Sequence, residues 1–204
     1  MTAYWTTVES PVGPLLLTAG PDGALTSLSV PGQKKGRVVQ ESWRRDPGPF
    51  RDAAEQLAAY FAGELKEFRL EFHTQGTEFR ERVWAVLDDV PYGATVTYGE
   101  IAARAGASRA AVRAVGGAIG ANPLLIVRPC HRVIGANGSM TGYAGGLECK
   151  TALLTVEGVL QAPAVDPPGM DADHLFAEMR AQLMRSHQEF GLAADVDPAH
   201  LPRT

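Results

Sequence analysis

Pro129-Cys130-His131-Arg132 sets one of only two cysteines in a 204-residue chain directly before a histidine and an arginine, at the end of the apolar run 124–127. A thiol attacks as its thiolate, and an unperturbed cysteine with a pKa of about 8.5 is only about 3% ionised at neutral pH. A reactive cysteine therefore needs a base or a positive charge beside it. His131 and Arg132 offer both, which makes Cys130 a candidate nucleophile. The same tetrapeptide also fits an inert cysteine buried at the end of a core strand. The other cysteine, Cys149, has only Lys150 as a basic neighbour and reads as a packing residue. Two cysteines without a CxxC pair argue against a disulfide framework and against a thiolate zinc centre. His174 and His187 are too far apart for the i, i+4 spacing of a helical metal pair. No metal and no cofactor is expected.

The chain is mildly acidic, with 23 Asp and Glu against 19 Lys and Arg and a net charge of −4. Such a balance speaks against a polyanionic partner, but binding follows local charge. Between Ile101 and Leu147 there is no acidic residue, and the stretch carries Arg104, Arg109, Arg113, Arg128 and Arg132. A cationic segment around the candidate nucleophile suits a phosphate-bearing substrate, because a merely solvated face usually mixes both signs. With 45% hydrophobic residues the chain is long enough to bury a real core, in one domain or two small ones. No segment approaches the roughly 20 apolar residues of a membrane span, and the first residues lack a leader pattern. A cytoplasmic protein without membrane contact is expected.

The elements that must position these residues follow from periodicity and turn signals. Short runs at 4–8, 14–18 and 24–30, separated by Pro-Val-Gly and Pro-Asp-Gly turns, predict a small antiparallel sheet. Residues 31–48 read as a loop. Phe50, Ala54, Leu57 and Phe61 predict a helix that stops at Gly63. This first unit, residues 1–75, shows no catalytic cluster and is expected to be scaffold.

A second unit, residues 76–160, opens with a helical face of Phe79, Val83, Val86 and Leu87 that ends at Pro91-Tyr92-Gly93. Thr97 and Glu100 form a capping box for a helix through 101–105, which Gly106 breaks. Ser108 is expected to cap the next helix, 109–119, and the pair makes a helix-turn-helix candidate. Arg109 and Arg113 are the only long polar groups on a helix otherwise made of Ala, Gly and small apolar residues, so it could approach another backbone closely or pack tightly in the fold. Few side chains are available to read base edges, which favours recognition by backbone and shape. The glycine-rich stretch 135–146 suits wrapping of a flat ligand, with Tyr143 as a stacking surface, or a hairpin with an Asn-Gly turn. A helix is predicted over 150–157. Residues 161–204 read as a Pro-rich linker and an amphipathic helix over 171–190.

Taken together, Ser10-Pro11-Val12-Gly13-Pro14, Phe79-x-x-x-Val83-Trp84, Thr97-Tyr98-Gly99-Glu100-Ile101-Ala102, Arg113-Ala114-Val115-Gly116-Gly117-Ala118, Asn122-Pro123, Pro129-Cys130-His131-Arg132-Val133 and Leu153-Leu154-x-x-Glu157-Gly158 resemble the O6-alkylguanine-DNA alkyltransferases. The resemblance runs from about residue 4 to 158. It implies an α+β fold, with a ribonuclease-H-like antiparallel-sheet domain followed by a helical, winged-helix-like domain. It also implies a DNA repair reaction in which Cys130 takes an alkyl group from O6 of guanine, with O4 of thymine as a second candidate, irreversibly and once per molecule. By the same resemblance Glu157 orients His131, His131 takes the thiol proton through a water, and Asn122 holds the turn carrying Cys130. Arg113 fills the stack vacated by a flipped base, Tyr98 presses on the adjacent phosphate, and Ser108 and Arg109 join them on the DNA-facing side. Tyr143, Val133 and Ala144 line the base pocket, where the carbonyls of Cys130 and Val133 accept from the guanine amino group. The implied partner is alkylated double-stranded DNA with little sequence preference, met by a monomer.

Ala144 stands where several relatives carry serine, and the segment after residue 160 has no counterpart in the resemblance. Two other readings of the same residues are a thiol hydrolase using Cys130, His131 and Glu157, and a DNA-binding regulator in which the thiol is incidental.

Overall fold

The computed structural model describes residues 3–161; the predicted linker and appended helix lie outside them. β1 (Tyr4–Val8), β2 (Leu15–Ala19) and β3 (Leu25–Ser29) form where alternating side chains can face a core. β1 pairs antiparallel with β2, and β2 with β3. The expected sheet is thus present, with one addition. β4 (Arg44–Arg45), inside the segment expected to be loop, pairs parallel to β1 and completes the order β3-β2-β1-β4. Both of its side chains are exposed, so no apolar alternation marks it in the sequence.

α1 (Arg51–Phe61) follows a 3-10 turn and buries Ala53, Leu57, Tyr60 and Phe61. α2 (Glu78–Asp88) is capped by the Thr77 hydroxyl and buries Val83, Trp84 and Leu87. β5 (Val96–Thr97) leads into α3 (Tyr98–Arg104) through the predicted capping box, with both reciprocal bonds between Thr97 and Glu100 in place. The next helix differs from expectation. Ser108 has the backbone angles of a cap but makes no side-chain cap bond, and residues Arg109–Ala111 form a 3-10 turn before α4 (Val112–Gly120) begins. β6 (Val133–Ile134) pairs parallel to β5, and α5 (Leu147–Val156) closes the described chain.

One apolar core runs through both halves, with Leu15, Leu17 and Leu28 in the same cluster as Tyr60, Trp84, Leu124 and Leu153. The Trp84 indole N–H donates to the Ala118 carbonyl at 2.9 Å, which ties α4 to α2 through a buried bond. No helix among the described residues is long and apolar enough to cross a membrane.

Candidate active site and nucleic-acid interface

Cys130 is buried, as an inert core cysteine would be, but the run before it is not a strand. Residues 122–130 form a turn instead. Asn122 Nδ2 is shared among the carbonyls of Leu124 (3.2 Å) and Arg128 (3.0 Å) and the Cys130 Sγ (3.1 Å), while its Oδ1 accepts from the Leu124 N–H at 3.0 Å. One amide side chain therefore closes the turn and touches the thiol. Ile126, fully buried, sits at φ 71°, a region a β-branched residue rarely enters. Strain of this kind persists only where the surroundings over-determine it. Here edge strand β3 supplies that constraint: Leu28 donates to the Pro123 carbonyl at 2.9 Å and accepts from the Leu125 N–H at 3.1 Å. Apolarity alone suggested a strand because a buried turn and a buried strand share composition.

Burial pushes the Cys130 thiol up to about 11, opposed by the Asn122 hydrogen bond and the charges of Lys150 and Arg128. Only about one thiol in ten thousand is then ionised at neutral pH, so the proton must leave as the thiol reacts. Arg132 does not supply the expected charge. It is buried, and its Nε and Nη2 bind Glu157 Oε2 and Oε1, each at 2.9 Å. His131 Nε2 lies 2.7 Å from Glu157 Oε1. Desolvation holds the imidazole below its ordinary 6.5, against the pull of Glu157. A neutral ring that donates from Nε2 keeps its lone pair on Nδ1, and Nδ1 is buried without a protein partner among the described residues.

Glu157, the residue after α5, collects five donors. Besides His131 and both Arg132 nitrogens, the Tyr60 hydroxyl donates to Oε1 at 2.8 Å and the Gly93 N–H to Oε2 at 3.3 Å. Burial opposes its charge, but the bonds from His131 and Arg132 win and hold the carboxyl near 2. Gly93 has φ 75°, the conformation the Pro91-Tyr92-Gly93 turn needs for its amide to point at the carboxylate. Tyr60 corrects the expectation that the first 75 residues are scaffold alone, since α1 reaches the carboxylate that holds His131. Nothing in the sequence signals this bond, because Tyr60 and Glu157 meet only through folding.

The remaining predicted residues divide between core and groove. Arg128 is buried in a two-bond pair with Asp88 (2.9 and 3.1 Å) and lies over the Trp84 ring at 5.1 Å. With Arg132 it drops out of the expected cationic face, because both side chains turn inward to carboxylates. Arg104 and Arg113 are exposed. The Val133 carbonyl accepts from the buried Lys150 Nζ at 2.5 Å, and the Val133 N–H donates to the Cys130 carbonyl. Tyr143 is buried edge-on to His131, with centroids 6.5 Å apart. Its hydroxyl is buried without a hydrogen-bond partner among the described residues. Tyr98 Oη donates to the Thr141 and Gly142 carbonyls, each at 3.0 Å, which fastens α3 to the glycine-rich loop. In that loop a Cβ on Gly145 would collide with Val30 and Tyr143, so only glycine lets it pass.

A groove of about 1110 Å³ opens beside the thiol turn, and its lining includes Asn122, Tyr143, Ala144, Tyr98 and Arg113. Gly116, Gly117 and Gly120 of α4 form part of its wall. Among the described residues no cluster of His, Cys, Asp or Glu could hold a metal ion.

A helix-turn-helix whose small-residue helix borders a groove, with a thiol, an imidazole and a carboxylate locked beside it, defines a nucleic-acid-binding protein built around one reactive cysteine. Residues 3–74 match the 6-O-methylguanine DNA methyltransferase, ribonuclease-like domain, and residues 78–159 match the 6-O-methylguanine DNA methyltransferase, DNA binding domain. The methylated-DNA–protein-cysteine methyltransferase of Methanosarcina acetivorans is 50% identical over 155 residues, 76% of this chain and 98% of that one. The protein of that name from Mycobacterium bovis is 51% identical over 154 residues, 76% and 92% of the two chains. The crystal structure of Mycobacterium tuberculosis OGT in complex with DNA superposes with a TM-score of 0.71 at 50% identity, covering 79% of this chain and 96% of that one. The chain belongs to the methylated-DNA–protein-cysteine methyltransferase family.

Proposed function

We propose that this chain repairs alkylated double-stranded DNA by moving a methyl or larger alkyl group from O6 of guanine to its own Cys130. O4 of thymine is a second candidate position. The observation that carries the reading is the buried sequence Asn122, Cys130, His131, Glu157 beside a groove bordered by α4. The sulfur forms a bond to the alkyl carbon as the carbon–oxygen bond breaks. The thiol proton passes through a water to His131 Nδ1, where Glu157 stabilises the imidazolium that forms. The departing guanine anion takes a proton from solvent water, and the imidazolium returns its proton to solvent. Asn122 keeps Sγ in line. The product is a thioether, which the site has no means of cleaving, so each molecule acts once.

An O6 atom inside a duplex cannot reach a buried thiol, so the nucleotide must leave the stack at a cost of a few kcal/mol. Arg113 on the exposed face of α4 fills the gap, and Tyr98 meets the adjacent phosphate, with Ser108 and Arg109 on the same side. Tyr143, Val133 and Ala144 surround the extruded base. The glycines along α4 leave little to read base edges, which gives weak sequence preference. The catalytic unit is a cytoplasmic monomer divided near residue 75, with residues 161–204 as an appended segment.

Incubation with duplex containing O6-methylguanine, followed by peptide mass analysis, should show one methyl group added to the Cys130 peptide and at most one product per protein. Cys130→Ala should lose transfer and keep DNA binding. Repeated turnover on an ester or amide would instead identify a hydrolase, and strong preference for one duplex sequence would identify a regulator.

A further inference from the structure

Among the described residues, the groove is free of acid on both sides. Acidic residues outnumber Lys and Arg in the chain by 23 to 19, yet none of the described ones lines this groove. Its cations come from two directions. Arg113 stands on α4, while Lys34, Lys35, Arg37 and Arg80 come from the loop after β3 and from α2. All five side chains are exposed, and among the described residues none has a carboxylate within ion-pair distance. His73 also lines the groove but is held by Asp22 at 3.2 Å and is not counted. The volume, about 1110 Å³, exceeds the roughly 300–1,000 Å³ of a small-molecule pocket, so a polymer segment suits it better than a free base.

The loop is anchored rather than free. The Lys34 N–H donates to the Ala144 carbonyl at 3.0 Å, beside Tyr143, and Gln33 Oε1 accepts from the Val30 N–H at 3.2 Å. Lys35 sits at φ 62°, where a lysine goes only under constraint from its surroundings. These ties hold the backbone that carries three exposed cationic side chains next to the glycine-rich loop.

We propose that Lys34, Lys35 and Arg37, with Arg80, hold backbone phosphates of the same duplex that α4 enters, so that the N-terminal half forms a second bank of the DNA site. The inference rests on the DNA repair reading given above. Each phosphate neutralised releases condensed counterions and adds about 0.9 to the slope of log affinity against log salt.

The test uses the full chain and a duplex carrying O6-methylguanine, with binding measured from low to moderate salt. Replacing Lys34, Lys35 and Arg37 together by Ala should flatten the salt slope by about 2 to 3 and weaken binding about tenfold or more at low salt. Transfer from free O6-methylguanine base to Cys130 should stay at the wild-type rate. The charge-preserving variant Lys34→Arg, Lys35→Arg, Arg37→Lys should keep the wild-type slope. A wild-type slope and affinity in the Ala variant would overturn the proposal, as would equal loss of duplex binding and free-base transfer, or failure of the charge-preserving variant to restore the slope. If the unmodified protein neither bound the duplex nor became alkylated, the repair reading itself would fall, which is a separate result.

Discussion

Glu157→Gln is the sharpest perturbation of this site, because the carboxylate receives five hydrogen bonds in a side-chain environment with no solvent exposure. An amide keeps the shape but offers one accepting oxygen and one donating NH₂. In one orientation the NH₂ meets Arg132 Nε and the Gly93 N–H; in the other it meets Tyr60, His131 and Arg132 Nη2. Either way donors face donors, and the Arg132 guanidinium loses its only carboxylate among the described residues. Removing one partner of a buried pair costs about 3–5 kcal/mol. That is a large share of the roughly 5–15 kcal/mol that holds a domain folded. At about 2–4 °C per kcal/mol for a chain of this size, the melting temperature should fall by roughly 6–20 °C. Single-turnover transfer from methylated duplex, measured below the variant's melting point, should slow by about 10²–10⁴ because His131 loses the charge that stabilises its protonated form. The variant should also lose part of the acid sensitivity of the wild type. Glu157 is held near 2, against an ordinary 4.5, so its stabilisation is complete above pH 4.5 and disappears as pH falls toward 2. The stability gap between wild type and variant should close over that window. A variant that melts within about 2 °C of wild type and transfers at the same rate would refute the role given to Glu157.

Tyr60→Phe removes one donor and leaves four, so it should cost about 1.5–3 kcal/mol in unfolding experiments. Its transfer rate should match or exceed wild type, since a carboxylate relieved of a donor holds imidazolium more strongly; slower transfer at unchanged stability would contradict this. Arg113→Ala should repair methylated duplex poorly while reacting normally with free O6-methylguanine base. Equal losses on both substrates would remove Arg113 from any role in extruding the base.

Local signals in the chain carried much of the fold. The capping box at Thr97 and Glu100 formed as expected, as did the three antiparallel strands and the helices built on Leu57 and Val83, because each depends on neighbours within a few residues. β4 was hidden since both its residues are exposed arginines that gain their order only from pairing with β1. Ser108 looked like a side-chain cap, but its hydroxyl makes no cap bond where the chain first takes a 3-10 turn.

For the site, the order Asn122, Cys130, His131, Glu157 was legible as a motif, and the motif states which chemistry is available. Charge was not legible in the same way. Five arginines between Ile101 and Leu147 look equivalent in sequence, yet Arg128 and Arg132 turn inward to Asp88 and Glu157 while Arg104 and Arg113 face solvent. The thiol was expected to be activated by nearby charge, and burial raised it instead. What the chain by itself determined was the set of reactive groups and the local elements, since these depend on residue type and short spacing. Which cations pair and which remain free, how far the thiol is desolvated, and the reach of Tyr60 to Glu157 across 97 positions were decided only by tertiary structure. Burial and electrostatics depend on distance in space, and distance in space is what folding supplies.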